Sequence, residues 1–355
     1  MNSPASAAPP ASTPAASTYT IGGTATTSMG SLALKLQNNG TDNLTLSSAG
    51  AFTFTTALAA GASYNVTLAT HSPGQACTVS NGTGTVAGAN VTNIGVACVP
   101  GTESVLYSFA GGADGANPYF SNLIQGVDGN LYGMTVSGGG HNFGTVFKIT
   151  TAGVETVLHS FAGGADGQNP FGSLIQGVDG NLYGMTYSGG TNSAGTVFKI
   201  TTAGVESVLY SFAGGADGQN PYGTLIQGVD GNLYGMTAYG GTNSAGTVFK
   251  ITTAGVESVL HSFAGGTADG QSPFGSLIQG VDGNLYGMTE GGGTNSVGTV
   301  FSVTTAGVES VLYSFAGGAD GQGPYGSLIQ GVDGNLYGMT YDGGANSVGT
   351  VFMIN

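Results

Sequence analysis

The chain has 355 residues, of which only 6 % are charged, with four lysines, no arginine and a formal net charge of -14. Binding to phosphate needs clustered Lys and Arg, so this balance argues against nucleic acid and against an anionic membrane surface. Sixty-eight glycines without a triplet period argue against collagen, and 40 % hydrophobic residues argue against disorder.

Residues 1–17, MNSPASAAPPASTPAAS, read as a flexible Ala/Ser/Pro tether. The stretch has neither the charged start nor the apolar run of a signal peptide, and Met1 is expected to stand where a secretion signal was removed. No 18-residue apolar run follows, so no membrane insertion is expected.

Residues 18–100 are rich in Thr, Asn, Ala and Val. Apolar residues alternate in Leu32-Ala-Leu-Lys-Leu36, Phe52-Thr-Phe54 and Tyr64-Asn-Val-Thr-Leu68, and turn signals stand at Asn39-Gly40, Ala49-Gly50 and Asn81-Gly82. Period-two runs between regular turns predict a small β-sandwich. Cys77 and Cys98 have no metal-finger spacing around them and are expected to form a disulfide, with two buried free thiols as the alternative. A disulfide implies an oxidising compartment, extracellular or at the cell surface.

Pro100-Gly101 marks a boundary, and residues 101–355 repeat one pattern five times. GVDGNLYGMT recurs with its Asp at 128, 179, 230, 282 and 333. In the second copy the pattern predicts strands over 155–161, 173–178, 181–186 and 196–201. A Gly-rich loop spans 162–172, and Asp179-Gly180 suits a type I′ hairpin turn. Four antiparallel strands per period are the content of a propeller blade, with an open β-solenoid as the rival. The repeat region opens on a fourth-strand pattern, 103–109, and closes on a third-strand pattern, 350–354. The expected fold is therefore all-β: a disulfide-bonded sandwich, then a five-bladed β-propeller in which the first strand completes the last blade and hides both edges.

The phrase GNLYGMTxxGGxxxxxGTVF resembles the GloVer (Gloeo/Verruco) tandem repeat of bacterial secreted and surface-anchored proteins. PFGSLIQGVDGNLYG is similar to NHL and kelch blades, and residues 18–100 resemble Ig-like bacterial surface modules. These resemblances imply propeller blades and export, but no activity.

Exposed loops on a rigid scaffold are where binding concentrates. In a four-stranded blade the AGGADGQNPYG loops and the GGTNSAG loops share one face. The first set carries Asp114, Asp166, Asp217, Asp269 and Asp320, the amides Asn117, Asn169 and Asn220, and the aromatics Tyr119, Phe171, Tyr222, Phe274 and Tyr325. Carboxylate, amide and ring together suit neutral sugars; the plainer reading makes the Asp a turn former and packs the ring between blades. One Asp per loop, without a DxDxDG run, makes a weak calcium motif, so no cofactor is expected, with calcium at these loops as the alternative. Asp128, Asp179, Asp230, Asp282 and Asp333 read as turn residues. Glu103, Glu155, Glu206, Glu257 and Glu309 read as solvated edge charges.

One strand position alternates Tyr107, His159, Tyr210, His261, Tyr313 in step with the loop aromatics. Duplication of a two-repeat unit explains this, or contact between the two side chains. The histidines read as hydrogen-bonded core residues. The positions after GMT vary between copies (Val136, Tyr187, Ala238-Tyr239, Glu290, Tyr341-Asp342), as unused surface or non-equivalent pockets would. No triad, phosphate loop or carboxylate pair argues for an enzyme. The expected function is a secreted or surface-displayed lectin-like binding protein with repeated shallow sites for a glycan or surface polymer, the alternative being a structural or assembly protein.

Overall fold

A computed structural model describes residues 17–355, so the tether read over 1–17 lies, apart from Ser17, outside the described residues. The chain divides at Val105–Leu106 into two compact units, each all-β apart from short 3-10 turns. Among the described residues, no helix is long and apolar enough to cross a membrane.

In the first unit, strands Ile21–Thr27, Gly50–Thr53, Gln75–Ser80 and Val91–Pro100 form one sheet. Leu34–Asn38, Asp42–Leu46, Ser63–His71 and Thr83–Thr85 form another. The predicted alternation is what joins them. Leu34, Leu36, Tyr64 and Val66 from one sheet share a buried cluster with Ile21, Ala25, Phe52 and Val96 from the other. Cys77 stands directly opposite Cys98 across the antiparallel pair, and the two form the expected disulfide. Closing a loop of 21 residues contributes about 3 kcal/mol in the chain-entropy treatment.

In the second unit each repeat builds one antiparallel sheet in chain order, such as Ile175–Gln176, Leu182–Thr186, Thr196–Ile200 and Glu206–Ser211. The sequence itself explains the cross-strand fit. Gly184 faces Phe198 in the ladder, and a Cβ on that glycine would stand 2.5 Å from the Phe198 ring. Phe161, at the end of the preceding sheet, meets Phe198 edge to face at 5.2 Å. The same pairing recurs as Phe212–Phe249, Phe263–Phe301 and Phe315–Phe352. Four buried clusters thus join the five successive sheets.

Three expectations need correction. The first strand of the repeat shrinks from the predicted 173–178 to Ile175–Gln176. Gly172 lies at φ +91, and the Ser173 N–H donates to Thr224 Oγ1 of the next repeat instead of to its own sheet. The Asp-Gly hairpins are not type I′, because only the glycine has positive φ, as in Gly180 at 80°. Gly180 N–H bonds Gly177 O, and Gly177 N–H bonds Asn181 O, which makes a three-residue loop with a left-handed glycine.

The third correction concerns ring closure. Residues 103–109 form no strand, and among the described residues the last sheet consists of Ile329–Gln330, Leu336–Thr340 and Thr350–Ile354. Tyr107 donates to Asp114, and Phe109 meets Phe147 of the first sheet at 5.0 Å. The contacts that tie every fourth strand to the sheet following it hold this segment on the first repeat. On the last sheet Met339 and Val351 are 62 % and 78 % exposed.

Candidate functional site

The Gly-rich loop and the GGxxxxxG loop meet at one end of each repeat, as expected. Gln168 and Ser188 pair as a bridge, and Gly190 N–H bonds Gly164 O. Within this end the structure sorts the predicted site residues into two groups.

The first group is the acids. Asp114, Asp166, Asp217 and Asp320 each close a short 3-10 turn, and Asp269 sits in a turn one residue longer. One carboxylate oxygen accepts the backbone N–H of Ala110, Ala162, Ala213, Ala264 or Ala316. The carboxylate also takes the alternating strand residue. The hydroxyls of Tyr107, Tyr210 and Tyr313 donate at 2.7 Å. His159 and His261 approach through Nε2 at 3.1 and 3.2 Å. These histidines have the hydrogen-bond partner expected of them, but they are half-buried at a joint between repeats, not in the core. The alternating residue thus touches the Asp and not the loop aromatic.

Glu103 is exposed, as expected of a solvated charge, but the other four glutamates at this repeat position are not. Glu155, Glu206, Glu257 and Glu309 stand at these joints, each with a buried Oε1 that no donor reaches among the described residues. Burial, with a smaller contribution from Asp217, pushes Glu257 up to about 7, and burial does the same for Glu206. Burial would also raise Asp166, but the hydrogen bonds from His159 and Ala162 N–H outweigh it and its pKa falls.

A pH prediction follows. Glu257 titrates higher when folded than the ordinary 4.5. It is neutral in folded and unfolded states below that value, and it opposes folding increasingly as pH rises toward 7. The melting temperature should therefore fall between pH 5 and pH 8. Glu257→Gln should melt higher than the native chain at pH 8 and flatten that fall, as differential scanning fluorimetry would read. A melting temperature that climbs from pH 5 to 8 in the native chain would contradict this burial.

The second group is the aromatics and amides. Asn117, Asn169 and Asn220 adopt left-handed φ of 58, 55 and 55°. Ser272 and Gly323 do the same in the last two copies, a conformation that suits the Asn and Gly found at this position. The amides of Asn169 and Asn220 donate to carbonyls of the preceding repeat. The rings form one column across repeats. Phe171 stacks on Tyr222 at 5.5 Å, Tyr222 meets Phe274 at 5.1 Å, and Phe274 stacks on Tyr325 at 5.4 Å. Phe120, left-handed at φ 61° in the first repeat, touches Tyr119, Phe171 and Tyr222. The rings do pack between repeats, yet Tyr119 and Tyr325 remain 50 % and 45 % exposed.

Sequence reasoning did not place the variable residues after GMT in this site. Tyr187 touches Phe171 and Tyr222, Tyr239 touches Phe274, and Tyr341 touches Tyr325. Tyr325 donates to Glu290. A cavity of about 300 Å³ opens beside them, lined by Glu290, Gln322, Tyr325, Tyr341 and Asp342 among others. The signal was present as variation at positions flanked by invariant ones.

The hairpin acids are turn residues, as read. Asp179 accepts Asn181 N–H and Nδ2 and, at 2.7 Å, the Tyr183 hydroxyl.

Comparison with known proteins gives a family and a set of solved structures. The Gloeobacter/Verrucomicrobia repeat family matches residues 63–280 and 258–355. No curated relative matches the sequence. Among solved structures, the virginiamycin B lyase of Staphylococcus aureus is 17 % identical, with 66 % of this chain and 69 % of that one covered and a TM-score of 0.43. A gluconolactonase of Xanthomonas campestris is 15 % identical over 70 % of this chain and 74 % of its own, with a TM-score of 0.39. A GH43 β-1,3-galactosidase is 12 % identical over 67 % of this chain and 56 % of its own, with a TM-score of 0.40.

Proposed function

The chain belongs to the Gloeobacter/Verrucomicrobia repeat family, and from that premise we propose that it is an exported, lectin-like binding protein. In this reading an Ig-like β-sandwich carries five propeller blades. The aromatic column and the variable residues beside it hold a neutral glycan, by contact and not by catalysis. The observation that carries the reading is the partly exposed column of Tyr119, Phe171, Tyr222, Phe274 and Tyr325 beside a cavity with two carboxylates, Glu290 and Asp342. Ring faces take the C–H side of a sugar and the acids accept its hydroxyls. With so few cations on the chain, anionic sugars are disfavoured. Asp114, Asp166, Asp217, Asp269 and Asp320 serve this surface by holding the loops that shape it.

The test is retention on immobilised neutral polysaccharide. The combined Tyr119→Ala, Tyr325→Ala and Tyr341→Ala variant changes exposed rings and should keep its circular dichroism. Its retention should drop by roughly a hundredfold, because losing sites in a multivalent contact multiplies the loss. Undiminished retention by the folded variant would remove the column as the site. No retention of the native chain on any glycan would favour the second reading, an assembly protein. That reading is supported by Met339 and Val351, which are exposed on the last sheet among the described residues.

A further inference from the structure

Four joints between successive repeats place an Asp and a Glu from neighbouring sheets together, and two of the four add an imidazole. In one, His159, Asp166 and Glu206 bring one ligand atom each to within 4.8 Å of the others. In the second, His261, Asp269 and Glu309 do the same. The side chains of His159 and Asp166 are 20 % and 21 % exposed, those of His261 and Asp269 20 % and 10 %. The third member of each group is an unsatisfied carboxylate, and the imidazole is what sets these two joints apart. Oε1 of Glu206 and of Glu309 is buried and has no hydrogen-bond partner among the described residues, and the same is true of Glu155 and Glu257 at the two joints without an imidazole. A buried carboxylate oxygen without a donor is costly, and in the His joints an imidazole nitrogen and a second carboxylate stand close enough to share a cation with it.

From this geometry we propose that the two joints bind one divalent zinc-class cation each, through His159 Nε2, Asp166 and Glu206, and through His261 Nε2, Asp269 and Glu309. One imidazole nitrogen and two carboxylate oxygens form a donor set that suits zinc, with a fourth position left for water. Ligand atoms around a tetrahedral zinc stand roughly 3.4 Å apart. The His–Asp distances of 3.1 and 3.2 Å already meet that spacing, so only the glutamate must swing inward. Two carboxylates neutralise the charge of the ion. Calcium, which prefers six or more oxygens, fits less well. The other two joints serve as built-in controls. Tyr107 with Asp114 and Glu155, and Tyr210 with Asp217 and Glu257, keep both acids but replace the imidazole by a phenol that donates to the Asp. The Tyr/His alternation thus becomes an alternation of joints clamped by a hydroxyl and joints clamped by an ion. The inference is independent of the glycan reading, since these clusters and the aromatic column share no residue.

The experiment is isothermal titration of the full chain with Zn²⁺ alone after chelator treatment, with bound metal counted by elemental analysis. Two ions per chain are expected, matching the two triads, along with a rise in melting temperature. The paired His159→Gln and His261→Gln variant should lose both ions. Tyr210→His should add a third. Excess Ca²⁺ should not displace the zinc. Absence of zinc uptake by the native chain overturns the proposal. Uptake that survives the paired variant in folded protein also overturns it, because the ions then do not depend on the two imidazoles. If the paired variant does not fold, Tyr210→His decides: a third ion supports the joint geometry, and an unchanged count overturns it.

Discussion

Replacing Phe249 with Ala is expected to destabilise the repeat unit by about 3–5 kcal/mol, the range for truncating a fully buried ring. Phe249 is 0 % exposed, lies over Gly235 in its own sheet, and meets Phe212 of the preceding sheet at 5.1 Å. Removing it opens a void that Gly235 cannot fill, since the glycine has no side chain to move. The ring also belongs to the cluster that holds Tyr183, Met185 and Leu225. Sheets that touch only their neighbours behave as a chain of coupled units, so the loss falls on the coupling between the second and third sheets. Urea unfolding should then show a lower midpoint and a broadened or divided transition. Phe352→Ala is the matched control. Its ring makes the same contact with Phe315, but it is only half-buried in the last sheet, and its loss should be clearly smaller. Equal losses at the two positions would mean that the joints are not what couples the repeats.

What could be read from the sequence depended on how local the physics was. The strands Leu182–Thr186 and Thr196–Ile200 were legible because alternation and the Asp179-Gly180 turn act over a few residues. The disulfide was legible because Cys77 and Cys98 are the two cysteines of a strand-rich segment with no metal-ligand spacing around them. Apart from the hairpin type, which Gly180 sets locally, the departures all involve a neighbouring repeat. Glu206 opens a strand, and only the stacking of the preceding repeat makes its carboxyl buried. The first strand shortened because Ser173 spends its N–H on Thr224, which is 51 residues away. Closure by 103–109 failed because Phe109 and Tyr107 are satisfied on the first repeat. The Asp166 partnership could have been found, since a His or Tyr stands seven residues before the Asp in four of the five copies. The candidate site was legible as a set of loops and aromatics. Its division into an acid joint and a ring column was not, because that depends on which strand each residue sits beside.

The same dependence on neighbours governs the second large effect, expected for Gly223→Ala. Gly223 holds φ +92, a conformation that side chains rarely adopt, and that strain alone costs roughly 1–3 kcal/mol. Space makes the position stricter. A Cβ there would stand 1.9 Å from the carbonyl oxygen of Gly275 in the next repeat, and a backbone oxygen cannot rotate away. Relief requires the third and fourth repeats to separate. That separation strains the bond from Thr224 N–H to Ser276 Oγ and the Tyr222–Phe274 contact at 5.1 Å. One methyl group should therefore disturb both the joint and the aromatic column. The expected result is a loss of more than about 2 kcal/mol in urea unfolding, with altered near-ultraviolet dichroism from the displaced tyrosine. Gly326, the corresponding residue of the last repeat, has no atom within 4 Å of its Cβ position and lacks the left-handed φ. Gly326→Ala should melt like the native chain. If Gly223→Ala did so too, the repeats would have to stand farther apart at the column than the ladder of Ser173, Thr224, Ser276 and Ser327 allows.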